Sequence, residues 1–223
     1  MKRMILTAIT LALTFGANAQ KITQQATIAQ AGEDLKEIRL PEPQRKGGKP
    51  LMECLNERKS LRDFGDKRLD FQMLSNFLWA SYGVSREDGR RTAPTARNAQ
   101  DISIYVVMEK GVYRWESTKN LLILLQEGDF RRETGPQPFV PKAQWNIAIV
   151  SDLSKYGEIE DPTSIKYGAM SAGYVSENMY LFCAAFDLAT VARAMFDQEA
   201  MKKLLKLNKT EMVMLVHSVG VMP

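Results

Sequence analysis

The segment Glu57-Arg58-Lys59-Ser60-Leu61-Arg62-Asp63-Phe64 sets two arginines, a lysine and a serine within five residues. Guanidinium forks grip phosphate oxygens in pairs, and a hydroxyl adds one more donor. The cluster follows a short amphipathic run (Leu51, Met52, Leu55), so it falls at the end of a helix. That placement suits a phosphate beside a polarised ring. It also suits a solvated helix end with Ser60 as a cap. Other chemistries find less support. The single histidine, His217, lies in the apolar run 212–216 and its flank, where it reads as a satisfied strand residue. One histidine and no Cys/His cluster argue against zinc and against Ser-His or Cys-His nucleophilic catalysis. Cys54 and Cys183 each sit in an apolar helical pattern and read as two unpaired core thiols, although an exported chain would permit a disulfide.

The elements that must hold the cluster come from one domain. Residues 1–19 read as a signal peptide, with Lys2 and Arg3 basic, an apolar stretch from Met4 to Phe15, and Ala17-Asn18-Ala19 before the cut. The apolar stretch is too short to span a bilayer comfortably, and no stable membrane anchor is expected. Export, to the periplasm or beyond the cell, follows from cleavage after Ala19. Residues 20–49 are polar and rich in Pro and Gly, and read as an extended arm. Residues 50–223 suffice for one domain with a substantial core. The net charge of +4 forms no basic stripe with aromatics, so nucleic acid is not an expected partner.

Periodicity and caps predict helices over 50–58, 70–82 (capped by Asp70), 161–187 (opened by Asp161-Pro162) and from Asp197. Ser117 reads as the cap of a further helix through Leu121, Leu122, Leu124 and Leu125. Strands are expected at 102–108, 111–115, 145–150, 190–192 and 211–219. Without a repeating βαβ rhythm, the fold class is α+β, a mostly antiparallel sheet flanked by helices.

Three further segments complete a pattern. Ala93-Pro94-Thr95-Ala96-Arg97-Asn98-Ala99-Gln100 precedes a strand. The helix over 161–187 is apolar most of the way round. Leu188-Ala189-Thr190-Val191-Ala192-Arg193-Ala194-Met195-Phe196-Asp197 leads into the last helix. In this order, together with Arg-x-Ser-x-Arg-x-Phe, they resemble the nitroreductase family over about residues 51–220, almost the whole of the chain after the expected cut. The resemblance implies an obligate homodimer, with the long helix at its interface and two FMN molecules. It implies hydride transfer through flavin N5 from NADH or NADPH to a small organic acceptor such as a nitroaromatic or quinone. Outside the cytoplasm a different reductant is possible. By resemblance Arg58, Lys59 and Ser60 hold the phosphate and ribityl chain, Arg62 sits near N1 and O2, and Pro94, Asn98 and Gln100 line the ring edge. Backbone groups of Ala194 and Met195 approach N5. Asn98 also reads as a loop residue making its own turn, and Gln100 as solvent-facing.

Two departures stand out. Many family members carry a phosphate-clamping Lys-x-Arg after the final strand, whereas this sequence reads Val221-Met222-Pro223 there. Either Arg193, Arg97 or a partner-chain residue is then expected to compensate, or flavin binds weakly; Arg193 is also readable as a surface residue. Asp101 stands where an apolar residue or proline is usual. Lys166-Tyr167 resembles the Lys-Tyr pair of the azoline dehydrogenase branch, where it handles protons; the plainer reading is a first-turn lysine and a packed tyrosine. The alternatives to an FMN oxidoreductase are therefore a non-catalytic flavin-binding or interaction module and an azoline-type peptide dehydrogenase.

Overall fold

The computed structural model describes residues 36–223. The expected signal peptide and cleavage site lie outside the described residues, as does the first half of the expected arm. The elements are β1 (Glu37–Arg39), α1 (Leu51–Glu57), α2 (Phe71–Tyr82), β2 (Ile102–Met108), β3 (Gly111–Glu116), β4 (Leu121–Glu127), β5 (Trp145–Asp152), α3 (Pro162–Ala185), β6 (Leu188–Arg193), α4 (Gln198–Leu204) and β7 (Glu211–Val221). The strands form one antiparallel sheet in the order β1-β4-β3-β2-β5-β7-β6. The α+β class is as the sequence predicts.

Strand β2 is apolar on both faces because both faces are covered. Ile102, Ile104 and Val106 join Leu74, Phe77 and Leu78 of α2 and Val175, Met179 and Phe182 of α3 in the larger core. Phe77 meets Phe182 edge to face, with centroids 5.6 Å apart. Tyr105 and Val107 join Met201 and Leu204 of α4 in the second core. The predicted caps hold the helix starts. Asp70 accepts from Met73 N, Asp161 from Thr163 N, and Asp197 from Ala200 N, each at 2.8 Å. Gly168 lets α3 lie close on the sheet. A Cβ there would come within 2.6 Å of Ser151 Oγ and 2.9 Å of Leu153 Cδ2 and Met214 Cε.

Two expectations are corrected. Leu121–Glu127 is a strand, not a helix capped by Ser117. It pairs with β3 on one side and β1 on the other, and so satisfies its backbone in the sheet. The described end of the arm is extended but packed. Glu37–Arg39 forms β1 against β4, with Ile38 and Leu40 buried beneath.

Candidate functional site

The Arg58–Arg62 segment leaves α1 and lies along the outer edge of β6. Leu61 N donates to the Thr190 carbonyl at 2.8 Å. Tyr180, on α3, organises the contact. Its hydroxyl shares a 2.8 Å hydrogen bond with Ser60 Oγ and accepts from Ala192 N at 2.9 Å. The Arg58 guanidinium stacks over the Tyr180 ring, 4.9 Å from its centroid. Arg58 Nε is buried without a hydrogen-bond partner, and neither Arg58 nor Arg62 forms an ion pair among the described residues. Lys59, Ser60 and Arg62 are exposed, as are Ala194 and Met195 at the end of β6. A shallow cleft of about 400 Å³ opens there, between Gly135 and Pro136 on one side and Met195 and Phe196 on the other. Arg58 and Ser60 thus lie against β6, and Ala194 and Met195 follow directly from its end. Tyr180 was not legible as their organiser. The one signal was a tyrosine in an apolar helix, whose hydroxyl must find a polar partner.

The loop carrying Pro94, Asn98 and Gln100 lies elsewhere on the chain. Arg97, Asn98 and Gln100 all have positive φ (56°, 53° and 49°). Such conformations in residues other than glycine persist where the surroundings impose them, and they gather at ligand sites. Pro94 and Asn98 are exposed. Gln100 does not face solvent: its amide accepts from Arg91 Nε at 3.0 Å and donates to the Gly89 carbonyl at 3.3 Å. Arg97 lies over the rings of Tyr156 and Tyr167, 5.7 Å and 5.9 Å from their centroids. Tyr167 is therefore packed near the start of α3, and Lys166 beside it is exposed. Asp101 is buried, accepting from Ser151 Oγ at 2.7 Å and from Tyr156 OH at 2.6 Å. Tyr167 and Tyr180 are roughly 20 Å apart along α3, at 1.5 Å per residue. Within one chain the two halves of the predicted site do not meet.

Arg193 is neither a surface residue nor available as a phosphate clamp. It is buried, and its five donors are all engaged. Nε reaches Ser218 Oγ (3.1 Å), Nη1 reaches the Thr134 carbonyl (2.8 Å) and Gln137 Oε1 (3.5 Å), and Nη2 reaches Asn146 Oδ1 (3.0 Å) and Thr134 Oγ1 (3.3 Å). Burial pushes its pKa down to about 10. His217, on β7, is satisfied as predicted, by Ser176 Oγ at 2.8 Å and Thr190 Oγ1 at 3.0 Å. Burial, aided by the charge of Arg193, pushes its pKa down to about 3, so it is neutral. Cys54 and Cys183 are buried and unpaired.

The profile of the Nitroreductase family matches residues 55–221. The chain is 34% identical to a Ralstonia eutropha JMP134 protein of known crystal structure, provisionally named a nitroreductase, with 84% of this chain and 90% of that one covered and a TM-score of 0.79. It is 25% identical over 192 residues to a Methanocaldococcus jannaschii protein also provisionally named a nitroreductase, covering 82% of this chain and 96% of that one. A chain of the E. coli microcin synthetase McbBCD complex shares the fold at 14% identity, with a TM-score of 0.63 over 76% of this chain and 72% of that one.

Proposed function

The chain belongs to the nitroreductase family, and on that premise we propose that it is an exported FMN-dependent oxidoreductase acting as a homodimer. The observation that carries the cofactor is the Arg58–Arg62 segment against β6. A buried Arg58 Nε lacking an acceptor, a neighbouring hydroxyl on Ser60 and an exposed Arg62 make a donor set suited to a phosphate and the polar edge of a ring. When bound, FMN would supply hydride chemistry at N5. The protein contributes the donors that hold it and the Ala194–Met195 main chain beside it. No side-chain acid or base is required. Reduced nicotinamide is the donor we propose, with a nitroaromatic or quinone as acceptor.

The homodimer is supported by α3. Its residues Ala169, Met170, Gly173, Tyr174 and Glu177 form an exposed stripe at helical spacing, with Met170 and Tyr174 each 45% exposed. Leu51, Met52 and Leu55 of α1 add exposed apolar surface. Gly173 lies midway between Tyr167 and Tyr180. Two copies of α3 crossing antiparallel at Gly173 would bring the partner's Asn98 loop, at its Tyr167 end, beside this chain's Ser60 and Tyr180. Each of the two sites is then built from both chains. Export is supported by the basic, apolar and small-x-small order of residues 1–19.

The test is the visible spectrum of the purified protein after incubation with FMN and desalting, followed by addition of NADH or NADPH and a nitroaromatic. We expect a retained flavin spectrum, bleaching by the donor and recovery with the acceptor. Ser60→Ala should weaken FMN about fivefold, the worth of one hydrogen bond near 1 kcal/mol. Arg58→Gln should weaken it by about tenfold or more, since a charge-assisted contact is lost. A protein that stays colourless refutes the cofactor. One that holds FMN but never reduces it is a flavin-binding module.

A further inference from the structure

Arg193 poses a question that the fold alone does not answer. It is 5% exposed, and all its partners are neutral: two hydroxyls, two side-chain amides and a carbonyl. No carboxylate pairs with it among the described residues. His217, across the strand pair, is neutral as well. A buried charge without a counter-charge is costly to hold, and an apolar side chain of similar volume would spare that cost.

Its contacts lead to the main chain that follows β6. Gln137 accepts from Arg193 Nη1 and donates from Nε2 to the Met195 carbonyl, both at 3.5 Å. Gly135 fills the gap between them. A Cβ there would collide with Arg193 Nη1 and come within 3.2 Å of the Met195 carbonyl oxygen. The guanidinium therefore grips the 134–137 turn from inside, and the turn grips Met195 from outside. Two contacts through one amide keep the charge within roughly 10 Å of that carbonyl, given hydrogen bonds near 3 Å or slightly longer.

We propose that Arg193 is a positioning residue for bound flavin: through Thr134, Gly135 and Gln137 it fixes the Ala194–Met195 main chain, and its uncompensated charge favours the reduced flavin over the oxidised. The inference rests on the FMN reading above. Hydride from a reduced nicotinamide donor brings two electrons and one proton to the ring, which gains one unit of negative charge as the donor becomes its oxidised cation. A fixed cation nearby stabilises that gain.

The test is the midpoint potential of FMN on the full chain, by equilibration with a reference dye, in the parent and in Arg193→Gln. With the ring lying beyond that carbonyl, removing one unit charge roughly 12 Å from it, at an effective dielectric near 20, should shift the ratio of reduced to oxidised flavin affinity about tenfold. For two electrons that lowers the potential by about 30 mV. Asn146→Asp provides a second arm that keeps Arg193 and sets a carboxylate beside Nη2. It should lower the potential in the same direction, and it decides the matter if Arg193→Gln does not fold. Arg193→Lys should recover most of the parent value. Gln137→Ala, which cuts the tie to Met195 but leaves the charge, should weaken FMN a few-fold and leave the potential in place. Parent protein that takes up no FMN overturns this proposal together with the FMN reading. FMN held at an unchanged potential in both Arg193→Gln and Asn146→Asp overturns this proposal alone.

Discussion

His217 should make the fold acid-sensitive well above the range where carboxylates titrate. Its folded pKa of about 3 lies far below the ordinary value of 6.5. The unfolded chain therefore binds a proton that the native chain refuses, and stability must fall as pH drops below the unfolded value. Going from about pH 7 to about pH 5, one such histidine removes about 2 kcal/mol, near the full 1.4 kcal/mol for each unit below 6.5. The window isolates the effect. His217 is the only histidine in the sequence. The depressed carboxylates, Asp129 (held down mainly by Arg131) and Asp152 (where burial, which raises it, is outweighed by the bonds from Ser154 and Thr210 together), contribute losses only as pH falls further, through their own lower range. The assay is denaturant unfolding at the two pH values, at fixed protein and FMN concentration, in the parent and in His217→Gln. The variant keeps a polar group for Ser176 and Thr190 but cannot take up a proton. We expect the parent to lose about 2 kcal/mol and the variant to lose little of that. Equal slopes in the two proteins would refute the reasoning.

Two other substitutions test the packing and the assembly. Gly168→Ala should destabilise the fold by about 1–3 kcal/mol, because the new methyl meets Ser151 and Leu153 and overpacking outweighs the gain of about 1 kcal/mol in helix propensity; thermal unfolding reads the sign. Met170→Arg, on the exposed stripe of α3, should shift the protein to monomer in sedimentation and lower FMN retention with it, whereas a dimer that survives would place the interface elsewhere.

The helices were legible where local chemistry decides them. Asp70, Asp161 with Pro162, and Asp197 each cap as their positions predict, because a cap is a contact within one turn. Leu121–Leu125 was not legible. Five consecutive apolar residues carry no period, and the choice of strand was made by β3 and β1, which are remote in sequence from one another. The same division runs through the site. The Arg58–Ser60 segment and the stretch 188–197 each stood out in the sequence, but Tyr180, which joins Ser60 to Ala192, is one of many residues on a largely apolar helix. Arg193 was read as a surface or phosphate-binding residue because its acceptors, Thr134, Asn146 and Ser218, come from three distant segments that no local pattern connects. The positive φ angles at Arg97, Asn98 and Gln100 likewise follow from tertiary surroundings, since none of these residues announces them as glycine would.

The segment after α1 also has a duty at the rim of the sheet. Strand β6 ends the strand order, so its outer backbone groups would be open to pairing with another polypeptide. Leu61 N takes the Thr190 carbonyl, and the Tyr180 hydroxyl takes Ala192 N. The side chains proposed to hold FMN are thus mounted on a stretch that seals a sticky border. Damage to that stretch should cost solubility as well as cofactor, and variants lost to inclusion bodies would report an unsealed strand rather than a broken core.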